Sequence, residues 1–189
     1  MKILKIIGII ILILIAIIVV LGIVAPKNYH VERSIVIEAP KELVFNYVKY
    51  WRNWQTWSYW AEMDSTMQVT VEGVDGAVNA KYKWVGDKAG TGEMITTGIK
   101  ENEEVVYHLH FIKPWESESD GYVRLADVNG KTETTWAFYG KNSFPWNIMS
   151  LFMSMDKMVG KDFEQGLHLL KEICEKDAAT MEAEPVTEE

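Results

Sequence analysis

The chain has 189 residues, 48% of them apolar, and its 19 Lys and Arg against 27 Asp and Glu give a formal charge of −8. Beyond a terminal apolar block, that length holds one folded core of about 150 residues rather than two large domains. So acidic a surface, with only Arg33, Arg52 and Arg124 available to fork onto phosphate, argues against nucleic-acid binding, and the single cysteine, Cys174, excludes an intramolecular disulfide framework and a cysteine zinc site.

In chain order the first element is apolar. From Ile6 to Ala25 the sequence reads IIGIIILILIAIIVVLGIVA, 20 positions without a charge. As a helix this stretch rises about 30 Å, the thickness of a bilayer core, so residues 1–28 are expected to be a membrane anchor. A cleaved signal peptide competes, but its apolar region usually runs about 7–15 residues, and cleavage after Ala25 would leave Pro26 first. Lys2 and Lys5 on one flank and Lys27 and Arg33 on the other give little orientational bias. A short amino-terminal tail kept in the cytoplasm, with the domain outside, is the simpler topology.

After the anchor, Val31–Ile37 (VERSIVI) alternates with period two, as a half-buried strand does. Pro40 opens a helix in which Leu43, Val44, Tyr47 and Val48 recur at helical spacing up to about Tyr50. In WRNWQTWSYW, Trp51, Trp54, Trp57 and Trp60 stand three apart, a spacing that drifts about 60° per step on an α-helix; a loop or short 3₁₀ turns suit it better. Six alternating segments follow, near 67–72, 78–85, 92–99, 104–112, 120–127 and 131–139, separated by turn-like GVDG, GDKAG, KENEE, KPWESE and DVNG. From Pro145 to Lys176, apolar residues at Ile148, Phe152, Met155, Val159, Phe163, Leu167, Leu170 and Cys174 describe one long amphipathic helix, with Gly160 as a place to bend. The acid-rich tail, residues 177–189, has no periodicity and is expected to be disordered. The layout is α+β, a curved antiparallel sheet of about seven strands around a long carboxy-terminal helix.

This order resembles the SRPBCC superfamily. The residues that carry the likeness are AP..LVF..V..W.NW..WSYW near the start, the WVGDKAGTGEM hairpin at Trp84 to Met94, and SLFMSMDKMVGKDFEQGLHLLK at the end. Within the superfamily the sequence is most similar to the polyketide cyclase/dehydrase-like branch in small membrane-anchored bacterial proteins, over residues 29–176. The resemblance implies a START-like helix-grip fold that encloses an apolar cavity between sheet and helix.

Strand parity indicates which side chains face such a cavity. If Tyr82 and Trp84 point inward, Lys81 and Lys83 reach water; by the same test Tyr107, Leu109 and Phe111 face in while His108 and His110 face out, and Trp136 and Phe138 face in. Met155, Val159 and Phe163 are the matching positions on the last helix. Trp57 and Trp60 are candidates for an aromatic lip at the entrance, although the tryptophans serve equally well as rings that bury area at the mouth of the sheet. Met149 and Met153, off the helical stripe, are placed at the sheet edge or the membrane. His108 and His110 have the spacing of a metal pair without a third ligand, so no metal and no cofactor are expected.

Two kinds of function fit this interior. One is a membrane-tethered binding module for a hydrophobic small molecule or lipid. The other is a cyclase or dehydratase-like enzyme, which needs an acid or base in the pocket; parity places none on the central strands, and Asp64 is the nearest candidate. A structural or partner-binding domain with a filled core is the third alternative.

Overall fold

The computed structural model describes residues 2–183. The period-two segments become seven strands, β1 (Asn28–Ile37), β2 (Gln68–Glu72), β3 (Lys81–Gly86), β4 (Gly90–Lys100), β5 (Glu104–Lys113), β6 (Ser117–Val128) and β7 (Lys131–Lys141), all antiparallel to their neighbours. Their order across the sheet is β1-β7-β6-β5-β4-β3-β2, so hairpins make every pairing except β1 with β7. Register shifts between Thr91 and Gly92 and between Thr96 and Gly98 interrupt the β4–β5 ladder, and such irregularities bend a sheet. The ring of Trp84 lies where a side chain at Gly92 would stand, and Tyr107 covers Gly121 in the same way. These two close approaches let large rings lie flat on the concave face.

The helices are α1 (Lys2–Val24), α2 (Lys41–Lys49), α3 (Trp51–Trp57), α4 (Tyr59–Met63) and α5 (Met155–Ala183), with a 3₁₀ turn at Trp146–Leu151. Two expectations are corrected. The tryptophan run forms two short α-helices broken at Ser58, not a loop or 3₁₀ turns. Three tryptophans at intervals of three cover an arc of about 120°, and α3 buries that whole arc; the break then resets the phase before Trp60. The last helix begins at Met155 rather than Pro145. The preceding segment is a 3₁₀ turn whose side chains are used elsewhere: Asn147 Nδ2 donates to the carbonyl of Gly22 at 2.7 Å and Ser150 Oγ to that of Pro26 at 3.0 Å. A three-residue period imitates an amphipathic helix in sequence, which is why the two elements read as one.

Helix α5 lies across the concave face, burying Phe163, Leu167, Leu170, Cys174 and Ala178. Arg33 of β1 fastens its first turns, donating to Asp156 and Glu164 at 2.7 Å each, and the guanidinium occupies the space that Gly160 leaves open. The helix continues through residues 177–183, where Ala178 is buried and Asp177 accepts a hydrogen bond from Tyr47; the rest of the expected tail, residues 184–189, lies outside the described residues. Trp51, Trp54 and Trp57 form the centre of the core, each indole N–H donating to a backbone carbonyl, of Ala80, Val48 and Tyr47 respectively.

Candidate functional site

The curved sheet, α3, α4 and the first half of α5 enclose a cavity of about 270 Å³. Pleat alternation turns Tyr82 and Trp84 of β3, Met94 of β4, Tyr107, Leu109 and Phe111 of β5, and Trp136 and Phe138 of β7 into it. Trp60 closes it from α4, and Val159 and Phe163 from α5. Trp136 and Phe163 stack with centroids 4.1 Å apart and planes 9° from parallel, joining sheet to helix at the cavity wall.

Of the eleven positions expected from sequence, Trp60, Tyr82, Trp84, Leu109, Phe111, Trp136, Phe138, Val159 and Phe163 line this space. Trp57 and Met155 do not. Trp57 is fully buried behind Trp136, with ring centroids 5.0 Å apart, because the α3 arc turns it toward α2 and the core. Met155 is half-buried at the start of α5. Ser58, Met63, Met67, Lys88 and Ala89 also contribute, from helix ends and turns where no periodic pattern marks a face. Trp54 and Met94 join them, and Tyr107, read as inward by parity, lies at the closed end.

The lining is mostly apolar, with no carboxylate or imidazole; its polar side chains are the phenols of Tyr82 and Tyr107, the Ser58 hydroxyl and, at the rim, the Lys88 amine. Burial pushes the pKa of the Tyr82 hydroxyl above the ordinary phenol value, and that hydroxyl has no protein hydrogen-bond partner among the described residues. The Tyr107 hydroxyl accepts a hydrogen bond from Trp136 Nε1 at 2.8 Å, while its own proton has no protein acceptor among the described residues; burial raises its pKa as well. Both rings pack on Trp51, at 5.8 and 5.9 Å between centroids. Two O–H donors are thus available to an acceptor inside a mostly apolar cavity.

Asp64 is not among the lining residues. Its Oδ2 accepts the amides of Lys88 and Ala89 at 2.8 Å each, and its Oδ1 accepts the amide and hydroxyl of Thr66 at 3.0 and 2.6 Å. The Ala89 amide and the Thr66 hydroxyl lead in holding its carboxyl far below the usual carboxylate range. A group so fixed in the ionised form is a brace between the α4–β2 loop and the β3–β4 turn, which removes it as the candidate acid. On the convex face, His108 Nδ1 lies 3.0 Å from Asp120 and His110 Nε2 3.3 Å from Glu116. No group of three or more His, Cys, Asp and Glu placed to hold a metal ion occurs among the described residues.

Solved structures share this architecture. A protein from Nitrosospira multiformis matches at 18% identity and a TM-score of 0.55, over 77% of this chain and 95% of that one. The Aha1 dimer from Colwellia psychrerythraea matches at 16% and 0.53, over 77% and 96%. The di-domain aromatase/cyclase StfQ of the steffimycin biosynthetic pathway matches at 8% and 0.61, over 81% of this chain and 52% of that one. These likenesses concern the fold. No curated protein sequence matches the chain. The model of the polyketide cyclase / dehydrase and lipid transport family, by contrast, matches residues 29–175, which include every strand and most of α5. With its sheet, gripping helix and apolar cavity inside that span, the chain belongs to the polyketide cyclase / dehydrase and lipid transport family.

Proposed function

We propose that the protein is a membrane-tethered binding module for a hydrophobic small molecule or lipid that carries an acceptor oxygen. The observation behind this reading is the mostly apolar cavity of about 270 Å³ with two tyrosine O–H donors that have no acceptor among the described residues. Its volume is near the lower end of ligand pockets, about 300 Å³. At about 25 cal/mol per Å², covering about 300 Å² of ligand contributes about 7 kcal/mol, from which association costs of about 4 kcal/mol or more are subtracted, so a hydrogen bond inside the cavity matters to affinity. A carbonyl or ester oxygen would accept from Tyr82 or Tyr107, whose donors are otherwise desolvated without return. The family description, which includes lipid transport, agrees with this ligand class. The same description includes cyclase and dehydrase chemistry; with no carboxylate or imidazole in the lining, the proton-transfer groups on offer are the Tyr82 and Tyr107 phenols and the Lys88 amine.

The tether is α1, where Ile3–Val24 is long and apolar enough to cross a membrane. Retention of this helix, rather than its removal as a signal sequence, is supported by Asn147. That side chain is fully buried and donates to the carbonyl of Gly22, a partner that cleavage after Ala25 would take away. The orientation we propose keeps the short amino-terminal flank in the cytoplasm and the domain on the opposite side, the simpler topology for a tail of so few residues.

The test is native mass spectrometry of the full chain extracted from membranes in mild detergent. A bound species of discrete mass is expected, and Leu109→Trp, which fills the cavity, should remove it while leaving the chain folded. Protein that carries nothing and takes up no added fatty acid, retinoid or polyketide-like aromatic would overturn the binding reading. Turnover of such a ligand by the parent chain would favour the enzyme instead.

A further inference from the structure

Because the strands alternate in direction, the start of β1, the ends of β3, β5 and β7, and the starts of β2, β4 and β6 share one end of the sheet. The exit of α1 is at this end. So are the α4–β2 loop, the β3–β4 and β5–β6 turns, and the segment 142–154 that leads into α5. Among the described residues, the exposed Trp and Phe side chains are Trp115 (81%), Phe144 (56%), Trp146 (72%) and Phe152 (77%), and all four lie here. None lies at the opposite end, where the acids Glu72, Asp75, Glu101 and Glu103 are ion-paired with Lys83, Arg52, Lys49 and Lys100. Exposed aromatic rings at one end of a small domain and charged pairs at the other are what a water–membrane boundary selects.

Reach settles what covers the aromatic end. Only residues 25–27 separate α1 from β1, and three residues span at most about 10 Å. With Asn147 and Ser150 bonded to carbonyls of Gly22 and Pro26, the segment bearing Phe144, Trp146 and Phe152 is attached to the last turn of α1 itself. If α1 spans a bilayer, these rings lie at its surface.

The cavity opens at the same end. Its buried walls, Trp54, Tyr107 and Trp136, lie deep, whereas its partly exposed lining, Met67, Ala89 and Val159, belongs to the α4–β2 loop, the β3–β4 turn and the first turns of α5; Lys88 stands exposed beside them. We infer that the α1 end of the domain rests in the interfacial layer of the bilayer through Trp115, Phe144, Trp146 and Phe152, so that the cavity mouth faces lipid and the ligand is a membrane-resident amphiphile exchanged within one leaflet. This rests on the membrane-tether reading and adds to it an orientation and a source of ligand.

The experiment uses the full chain in phosphatidylcholine vesicles, with an environment-sensitive fluorophore on single introduced cysteines, since Cys174 is buried. The sites are Trp115→Cys and Phe152→Cys at the aromatic end, Val74→Cys at the opposite end, and Ile13→Cys within α1. Labels at 115 and 152 should emit at shorter wavelength and be quenched by lipids spin-labelled near the headgroup, while the label at 74 reports water. If the label at 13 is quenched by lipid but those at 115 and 152 behave like that at 74, the tether stands and the inference falls. If the label at 13 also reports water, both fall. Labels at 115 and 152 that are shielded from lipid quenchers, and lose that shielding as the protein-to-lipid ratio is lowered, would mean that a second copy covers this end and would overturn the inference.

Discussion

Asp64 accepts four hydrogen bonds with one carboxylate, two from Thr66 and two from the Lys88 and Ala89 amides, and the consequence is measurable as pH-dependent stability. A carboxyl whose folded pKa lies below its unfolded value contributes stability that is complete above the unfolded pKa, about 3.9, and is lost as pH falls toward the folded value. In Asp64→Asn an amide N–H₂ would face backbone donors, so the variant is expected to unfold at lower temperature than the parent at pH 7. The difference should shrink as pH falls below about 4, where the parent loses the same contribution. Thermal melts of both proteins between pH 7 and pH 2.5 check this. A constant difference across that range would mean that the carboxylate is not what braces the turn.

At the scale of elements, α5 is held against the sheet by how closely its backbone approaches. Alanine in place of glycine inside a helix usually stabilises by about 1 kcal/mol. At Gly166, however, an added Cβ would stand 2.9 Å from the Trp136 ring and 3.4 Å from the Trp57 carbonyl, both fully buried. Neither neighbour can yield without disturbing the Trp136–Phe163 stack. Gly166→Ala is therefore expected to destabilise by about 1–2 kcal/mol, opposite in sign to its helix propensity, in urea unfolding. A stabilised variant would place α5 farther from the sheet than 2.9 Å contact allows.

For the whole molecule, the formal charge of −8 and the apolar cavity separate two kinds of ligand. If binding is burial in the cavity, calorimetry of the full chain in detergent with a fatty acid methyl ester should give a negative heat-capacity change. Affinity should vary by less than about twofold between about 50 and about 300 mM salt, since only exposed charge pairs are screened over that range. A collapse of affinity with salt would move the binding contact from the apolar interior to charged groups, Lys88 at the rim first.

The sequence by itself determined the apolar first helix, the seven alternating strands and the face each strand turns inward, because those properties depend on periods of two and 3.6 that local chemistry imposes. It determined Tyr82, Trp84, Leu109, Phe111, Trp136 and Phe138 as inward residues for that reason. Other features depended on contacts between segments distant in the chain. The tryptophan run could be helical only because α2, β3 and α5 bury its wide arc, and Trp57 could leave the cavity wall only because Trp136 stands in front of it. The start of α5 at Met155 depended on Asn147 and Ser150 binding carbonyls more than 120 residues earlier. Asp64 was legible as a carboxylate after a tryptophan cluster, but two of its four donors, the Lys88 and Ala89 amides, lie 24 and 25 residues away in a turn. The cavity mouth and the exposed aromatic residues came together only when antiparallel pairing brought five separate loops to the end of the sheet where α1 leaves it, an arrangement that no local period encodes.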